Sequence, residues 1–355
     1  MSNSGYILIA DITGYTAYLT KTELDHARDT LADLLNVVFN EIRHPLKVSK
    51  LEGDAVLAYA PNSAVGHGQT LIEVVEVIYG AFRKALELMV LNTSCKCEAC
   101  KVISTLDLKF FVHHGEFLEQ RIGPFVELVG TDVNVVHRLT KNSVGLTAYA
   151  MYTEAAIQAG GLGDIAAEFP THIETYEHIG DIRTYVQDLA EVWGRYQSKV
   201  RLRVPEGEAL MEGEMFFTVP PTRAWEYVTD PHTRAVITDS DTAHVDRIGG
   251  RITEGSVYHC AHGDVHLELM VVDWRPFDEY SYTFDVGGGV TVLYTIALSP
   301  TEEGVRVVLR VGHARGGTLD DRTRADADFM SRTDRLERGL RALEDIVRAD
   351  LKTQG

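Results

Sequence analysis

The sequence predicts an α+β protein with two domains, residues 1–195 and 206–355. Its length of 355 residues exceeds what one ordinary hydrophobic core needs. The first half alternates short apolar runs with long amphipathic patterns, which predicts helices on one face of a mostly antiparallel sheet. The second half shows a succession of strand-like segments before one long helix. Polar and basic residues at 197–205 interrupt the apolar periodicity, and we predict the domain boundary there.

The first half begins with a short apolar strand at residues 6–10, which ends at Asp11. An amphipathic helix at 22–42 follows, because apolar residues recur there at helical spacing. Two short strands then flank the turn Glu52-Gly53-Asp54 as a hairpin. The other elements predicted for this half are helices at 69–91, 130–138, 153–159 and 189–196 and strands at 106–113, 125–128, 145–149 and 182–187.

The second half begins with a strand at 214–219 and a short helix that contains Trp225. Six strands are predicted next, at 248–252, 257–261, 267–274, 280–286, 291–299 and 305–312, before a helix at 325–351. A curved antiparallel sheet wrapped around the last helix would enclose an apolar cavity, the usual form of a small-molecule site.

The overall charge restricts the classes of partner. A formal net charge of −18 disfavours a nucleic acid, because binding to a phosphate backbone depends on Lys and Arg. A small anionic ligand held by a metal remains compatible with this charge. Residues 1–5 are short and polar and lead into a strand, which is typical of neither a signal peptide nor a membrane span. We therefore expect a soluble, cytoplasmic protein without a membrane partner.

Two aspartates stand at strand ends in the first half. Asp11 follows the first strand and Asp54 lies in the hairpin turn. Carboxylate oxygens are hard ligands that suit Mg²⁺ or Mn²⁺, so this pair is a candidate metal site. Taken alone, an aspartate at such a junction is more often a turn former.

Three segments together give a more specific pattern: Asp-Ile-Thr-Gly-Tyr-Thr at 11–16, Lys-Leu-Glu-Gly-Asp at 50–54 and Gly-Thr-Asp-Val-Asn-Val-Val-His-Arg at 130–138. In this order they resemble class III adenylyl/guanylyl cyclases, closest to a divergent bacterial branch, over roughly residues 5–190. The resemblance implies a ferredoxin-like cyclase domain that converts ATP to cyclic AMP and diphosphate. It also implies two Mg²⁺ or Mn²⁺ ions bound by Asp11, Asp54 and the carbonyl of Ile12.

The same resemblance assigns the remaining site residues. Lys50 stands where the family reads adenine, and Asn134 and Arg138 stand where it positions the ribose and stabilises the transition-state phosphate. Their i, i+4 spacing puts both side chains on one face of a helix. Glu127 replaces the usual second adenine-reading aspartate, which leaves ATP preferred over GTP. Cyclases of this family share two sites across a dimer, so a homodimer is implied.

An alternative function belongs to a different class. Domains of this fold can lose catalysis and remain nucleotide-binding or dimerisation modules. The alternative is therefore a catalytically silent sensor that binds a nucleotide or another small molecule.

A cysteine cluster interrupts the cyclase-like pattern. Cys95, Cys97 and Cys100 lie within six residues and would bind zinc if a fourth ligand, such as His113 or His114, completed the set. The alternative is a set of reduced surface thiols without a ligand.

The second half resembles the START-like (SRPBCC, polyketide cyclase/dehydrase-type) superfamily with a helix-grip fold, judged from strand order and the final helix. The resemblance implies a hydrophobic small molecule as ligand. Because the two domains share one chain, we also hypothesise that binding of this ligand regulates the cyclase domain. Strand alternation puts His259 on the face opposite Cys260 and His262, so a complete metal site with His266 is not expected and cavity-lining roles are favoured. Six aromatic residues are predicted for the core, or alternatively for a cavity wall: Trp225, Tyr258, Trp274, Phe277, Tyr282 and Phe284.

Overall fold

A computed structural model describes residues 3–21, 24–42, 44–92, 102–123 and 125–354. The chain divides into two compact units, Met1–Lys199 and Val200–Gly355. Each unit is treated separately below. None of the helices in the described part of the chain combines the length and the apolar composition that a bilayer crossing requires.

The first unit is built on one sheet. Its strands are β1 (Asn3–Thr13), β2 (Lys47–Glu52), β3 (Ala55–Pro61), β4 (Asp107–Ile122), β5 (Phe125–Val129), β6 (Tyr149–Thr153), β7 (Thr171–Tyr176) and β8 (Gly180–Asp188). The order across the sheet is β2-β3-β1-β4-β6-β8-β7, and β5 pairs with the far end of β4. All pairs are antiparallel except β4 with β6.

The helices of the first unit are α1 (Tyr15–Lys21), α2 (Leu24–Glu41), α3 (Gly68–Asn92), α4 (Thr131–Leu139), α5 (Glu154–Ala159), α6 (Gly163–Ala166) and α7 (Leu189–Ser198). Short 3₁₀ turns lie at Asn62–Ala64 and Ile103–Thr105. With α2 and α3 as connections, β1 to β4 form a βαββαβ unit with the sheet order β2-β3-β1-β4. This is the ferredoxin-like arrangement, so the predicted α+β class is confirmed.

One core lies between the sheet and α4. Ile7 and Ile9 of β1 pack there with Phe111 of β4, and Val136 and Leu139 supply the buried stripe of α4. The spacing of the apolar residues in α4 puts Val133, Val136 and Leu139 inside. Burial of this stripe fixes which face of α4 points outward.

The second unit contains β9 (Met211–Phe217), β10 (Thr242–Asp246), β11 (Val257–His262), β12 (Val265–Arg275), β13 (Glu279–Gly287), β14 (Val290–Thr301), β15 (Gly304–Val311) and β16 (Arg315–Gly316). Its helices are α8 (Pro221–Thr229), α9 (Pro231–Thr238), α10 (Leu319–Met330) and α11 (Thr333–Gln354). The antiparallel sheet has the order β10-β11-β12-β13-β14-β15-β9, with β16 beside β14.

The last helix packs closely on this sheet. Helix α11 contacts β9 and α9. A Cβ on Gly213 of β9 would stand 2.4 Å from Cδ1 of Leu340 on α11, so any larger residue would require the Leu340 side chain to move. A curved antiparallel sheet held against a C-terminal helix confirms the predicted helix-grip architecture.

The strand expected at 106–113 continues to Ile122 as β4. Three other predicted elements differ from the structure at turns. The strand expected at 145–149 begins only at Tyr149, because the Asn142 side chain holds the preceding loop: its Nδ2 donates to the Leu139 carbonyl at 2.7 Å and its Oδ1 accepts from Val144 N at 2.9 Å. The strand expected at 248–252 is a turn, since Gly249 and Gly250 both have positive φ. The single helix expected at 325–351 is divided into α10 and α11 after Met330.

Besides the two-residue strand β16, two strands have no counterpart in the prediction. Strand β7 (Thr171–Tyr176) forms one edge of the first sheet, and β10 (Thr242–Asp246) forms one edge of the second. Both show alternating half-buried and exposed residues with few large apolar side chains. Edge strands of this composition give a weak hydrophobic signal.

Candidate active site and ligand cavity

Two carboxylates lie together at one end of the central strands. Asp11, near the end of β1, is paired in register with Ala55, the residue that follows Asp54. The Ile12 N–H donates to the Asp54 carbonyl at 3.2 Å, which joins the backbones of all three residues proposed as metal ligands. Gly53 has a φ of +68°, a left-handed conformation that lets the β2–β3 turn bring Asp54 to this position.

The electrostatics of the pair favour a cation. Burial and then the negative charge of Asp54 raise the pKa of Asp11, Lys109 opposes the shift, and the net pKa is about 6. Burial also raises the pKa of Asp54. Two half-buried carboxylates that repel each other are a costly arrangement unless a positive charge lies between them. The donor set, carboxylate and carbonyl oxygen, fits Mg²⁺ or Mn²⁺.

This arrangement predicts a stability cost for Asp11. Its pKa is about 6 in the folded state against an ordinary value of 3.8, so the native state binds the proton more tightly and stability falls as pH rises from about 4 to 6. We expect Asp11→Asn to raise the free energy of unfolding at pH 7.5 by about 1–3 kcal/mol in metal-free buffer. Urea unfolding at pH 4.5 and 7.5 measures this, with exposed Asp164→Asn as the control. Equal stability of Asp11→Asn and wild type at pH 7.5 would contradict it.

A second group of charges lies between β2, β5 and α4. The Lys50 Nζ is 2.6 Å from Glu127 Oε2 and 2.9 Å from Glu52 Oε1. Glu52 Oε2 is in turn 3.4 Å from His137 Nδ1 on α4. Hydrogen bonds to Glu127 and then Glu52 raise the pKa of Lys50, so its ammonium stays charged. The structure thus brings the two residues predicted to read adenine into contact.

Helix α4 presents the other two predicted residues. Asn134 and Arg138 are both exposed, on the side away from the buried stripe. Within the described chain they lie on an outer face, where they are accessible to a nucleotide or to a second copy of the protein.

The start of α4 is anchored by a chain of partly buried polar contacts. Asp132 Oδ2 accepts from Glu116 N at 2.7 Å, and its Oδ1 lies 3.2 Å from His113 Nε2. The other ring nitrogen of His113 lies 2.9 Å from Thr153 Oγ1. Burial lowers the pKa of His113, which keeps the ring neutral. These contacts fix the position and rotation of α4, and His113, in the middle of β4, has a structural role.

Gly115 makes room for this anchor. A Cβ there would stand 2.2 Å from the Asp132 Cγ. We expect Gly115→Ala to lower the free energy of unfolding by about 1–3 kcal/mol, because the Asp132 carboxylate must move away from its partners. Gly145→Ala is the matched control, since nothing lies within 4 Å of its added Cβ. Urea unfolding of both variants measures the difference in free energy of unfolding. Equal stabilities of the two variants would contradict this prediction, because they would show that the Asp132 carboxylate can move without loss of stability.

Three residues of this region were missed by sequence reasoning. Lys109 lies opposite Asp11 across the β1–β4 pair and has its Nζ 5.2 Å from the centre of the Tyr149 ring. Glu52 and His137 connect the Lys50 group to α4. Glu52 and His137 lie within the sequence segments 50–54 and 130–138, so these motifs could have identified them. Lys109 lies outside these segments, and only the register of β1 with β4 places it opposite Asp11.

The predicted cysteine cluster lies in a part of the chain that the structure does not describe. Cys95, Cys97 and Cys100 lie outside the described residues, as part of 93–101. The two histidines considered as completing ligands have other contacts: His113 as above, and His114 with its Nε2 2.8 Å from Asn62 Oδ1.

The second unit contains an open-mouthed cavity of about 510 Å³. Its wall is formed by the inner face of the sheet together with α9, α10 and α11. Cys260 and His262 line it, which confirms the cavity-lining role expected for them. Of the six aromatic residues, Tyr282 and Phe284 line the cavity. Four belong to the buried core (Trp225, Tyr258, Trp274 and Tyr282), while Phe277 and Phe284 pack against it.

On the outer face of the same sheet, His259 has different neighbours from those considered in the sequence. It pairs in register with His244, and the two rings stack with centres 4.6 Å apart. His259 Nε2 lies 2.8 Å from Asp246 Oδ2. One ligand atom from each of these three residues lies within 4.8 Å of the others. His244 and Asp246 belong to the unpredicted strand β10, which is why the sequence did not suggest them.

Several known protein structures are similar to the first half of this chain. A bacterial light-regulated adenylyl cyclase is 15% identical, with 56% of this chain and 57% of that chain covered and a TM-score of 0.41. The guanylyl cyclase Cya2 is 14% identical over 52% of this chain and 92% of that chain, with a TM-score of 0.40. The adenylyl cyclase CyaB from P. aeruginosa is 12% identical over 53% of this chain and 95% of that chain, with a TM-score of 0.40. This chain therefore spans little more than half the length of the light-regulated enzyme.

Family models and a curated relative match the sequence itself. Residues 31–149 match a model described as a protein of unknown function (DUF2652). Residues 209–348 match the model for polyketide cyclase / dehydrase and lipid transport, which confirms the START-like resemblance of the second half. The uncharacterized protein Rv2561/Rv2562 of Mycobacterium tuberculosis is 33% identical over 164 residues, which covers 45% of this chain and 74% of that protein. The chain belongs to the same family as this mycobacterial protein.

Proposed function

We propose that the first unit is a nucleotidyl cyclase domain that converts ATP to 3′,5′-cyclic AMP and diphosphate. The observation that carries the proposal is the proximity of Asp11 and Asp54: the Ile12 N–H, next to Asp11, donates to the Asp54 carbonyl at 3.2 Å, and the carboxyl pKa values of both aspartates are raised. Carboxylates in this state are suited to hold divalent cations beside a triphosphate. The Lys50–Glu127 contact and the exposed face of α4 supply the other groups that the reaction needs.

Asp11, Asp54 and the Ile12 carbonyl would hold two Mg²⁺ or Mn²⁺ ions. When bound, such ions draw charge from the triphosphate and lower the pKa of the ribose 3′-hydroxyl. In the reaction the 3′-oxygen forms a bond to the α-phosphorus, the bond from that phosphorus to the bridging oxygen of the β-phosphate breaks, and diphosphate leaves. The hydroxyl proton passes to solvent.

Lys50 and Glu127 are proposed to read the base. Together they offer a hydrogen-bond donor and an acceptor, which the N1 and 6-amino groups of adenine require. They already lie 2.6 Å apart, so the base would replace one interaction of a preformed pair. Glu52 holds Lys50 from the other side, at 2.9 Å. A preference for ATP over GTP follows.

Asn134 and Arg138 are proposed to act in a homodimer. Arg138 would stabilise charge on the transferring phosphate, and Asn134 would position the ribose, each facing the aspartates of a second copy. An exposed apolar pair on the β4–β5 hairpin supports self-association: Leu118 and Val129 lie directly opposite each other, and both are large and exposed.

The second unit is proposed to bind a hydrophobic small molecule in its cavity and so to regulate the first. The cavity volume of about 510 Å³ lies in the ordinary range of ligand sites, and its wall is mainly apolar. A ligand can shift catalysis only if it binds the active and inactive states with different affinity. Cyclase rates measured with and without an apolar ligand test this part separately.

One assay separates catalysis from a silent sensor. Purified protein is incubated with ATP and Mn²⁺, and with GTP in a parallel reaction, and the products are identified by mass spectrometry. The proposal predicts cyclic AMP and diphosphate, more slowly formed cyclic GMP, and no product from Asp54→Ala. Binding of ATP without product would support the silent sensor and overturn the enzyme.

A further inference from the structure

A buried arginine stands in the wall of the cavity. Arg234 of α9 is fully buried, and it lines the cavity of the second unit. Its guanidinium lies over the Tyr282 ring, 3.9 Å from the ring centre, and 5.3 Å from that of Tyr258. Its Nη1 donates to the Tyr280 hydroxyl at 3.1 Å. These aromatic contacts hold the plane of the guanidinium in a fixed orientation.

No carboxylate of the described residues forms an ion pair with Arg234. Its side-chain neighbours include the rings of Tyr282 and Tyr258 and the hydroxyl of Tyr280. The Tyr280 and Tyr258 hydroxyls donate their own protons to the carbonyls of Val228 and Thr229, both at 2.6 Å. A buried cation without a counter-ion is strongly destabilising, because its lost hydration is not replaced. Arg234 would therefore be stabilised by an anion that the described residues do not supply.

The other two arginines in the cavity wall differ from Arg234. Arg332 lies 2.6 Å from Asp328, and Arg335 lies 3.4 Å from Asp239. Arg335 also donates to the carbonyls of Thr238 and Asp239. Their charges are therefore balanced within the described protein, and Arg234 alone among the lining arginines has none of these acidic partners.

The free atoms of Arg234 have a definite geometry. Nε and Nη2 are buried, and neither makes a hydrogen bond of normal geometry. These two nitrogens present their N–H groups along the same edge of the guanidinium, with the spacing of the two oxygens of a carboxylate. The remaining cavity wall is largely apolar, with Leu269, Phe284 and Phe329 among its side chains.

We propose that the cavity binds an amphipathic carboxylic acid, with its carboxylate on the Nε/Nη2 edge of Arg234 and its apolar body along the aromatic and aliphatic wall. The inference rests on the proposed ligand-binding function of the second unit and specifies its chemical class. The carboxylate would satisfy both free nitrogens and balance the buried charge, while the apolar body gains from leaving water. A neutral apolar molecule of the same length would leave Arg234 unpaired.

The test compares three probes of equal chain length on the full protein: dodecanoate, dodecan-1-ol and dodecyl phosphate. Affinities are measured by isothermal titration calorimetry for wild type, Arg234→Met, Arg234→Lys and the control Arg348→Met. Arg348 is an exposed arginine of α11 outside the cavity wall, beside Glu344 and Asp345. Met preserves volume without charge, and replacing a buried charge by an apolar group of similar size is often neutral or stabilising, so this variant should fold.

We expect wild type and Arg348→Met to bind dodecanoate about tenfold or more tightly than dodecan-1-ol, as two charge-assisted hydrogen bonds require. Arg234→Met should lose this difference and keep its affinity for the alcohol. Arg234→Lys retains a charge without the planar guanidinium, so it should bind dodecanoate more weakly than wild type. If Arg234→Met does not fold, this second variant still tests the role of the guanidinium.

The outcomes that would overturn the inference differ from those that would overturn the ligand site. Equal affinity of wild type for the acid and the alcohol, or undiminished acid binding by Arg234→Met, would remove the role of Arg234 while the cavity remains a hydrophobic site. Tighter binding of dodecyl phosphate than of dodecanoate would overturn the choice of a carboxylate. Failure of all three probes to bind would overturn the ligand-binding function itself.

Discussion

Asp54→Asn is expected to lower cyclic AMP formation by about 100-fold or more, because loss of one metal-holding carboxylate removes several kcal/mol of transition-state stabilisation. The amide keeps the size of the side chain but not its charge, so the fold should be retained. Asp54 lies in a turn with its carboxyl half buried beside β1, and the substitution disturbs no packing of the core. Initial rates with ATP and Mn²⁺ measure the effect.

The matched control for this experiment is Asp164→Asn, an exposed acid in the same unit. It should leave the rate unchanged. A rate for Asp54→Asn within about twofold of wild type would mean that the carboxylate pair has no part in the reaction, since a metal ligand contributes far more than this.

Arg138→Ala is expected to lower kcat by about 10²–10³-fold with a much smaller change in KM, because a donor aimed at developing charge acts mainly in the transition state. Arg138→Lys should recover part of the loss, since it restores charge without the planar donor set. Arg183, which is exposed and lies 3.9 Å from Glu154, is the control for loss of a surface arginine. Arg183→Ala should have the kcat and KM of wild type. A change in KM alone would instead indicate a role in ground-state binding.

The parts of the site that the sequence predicted are those defined by local geometry. Asp11 and Asp54 stand at the ends of short apolar strands, and such strand ends meet when neighbouring strands pair. Asn134 and Arg138 are four residues apart on a helix, so their common face follows from helix geometry. The α+β class followed from the same local patterns, since the long helices and strong strands were the elements identified most directly.

Contacts between distant segments could not be predicted in this way. Lys109 stands opposite Asp11 because of the register of β1 with β4, and register depends on the whole sheet. The carboxylate of Asp132, the ring of His113 and Thr153 meet only after three segments have packed. A single sequence carries no local signal for such polar chains.

Arg234 shows most clearly which features of the site the sequence could not predict. An arginine in a short helix after a proline is ordinarily assigned to the surface, because charged residues are rarely buried without partners. Its burial depends on Tyr258, Tyr280 and Tyr282, which come from two later strands and surround it in three dimensions. The clue to its function is the contrast between complete burial and two unused donors, which exists only in the folded structure.

The shared catalytic site is tested most directly by mixing two inactive variants, Asp54→Asn and Arg138→Ala, in equal amounts and allowing their subunits to exchange. If each site takes its metal ligands from one subunit and its arginine from the other, half of the dimers are mixed and each contains one intact site, so activity with ATP and Mn²⁺ should return to about one quarter of wild type. No recovery above the separate variants, although mass spectrometry shows that mixed dimers have formed, would contradict a cyclase site shared between two copies of this chain.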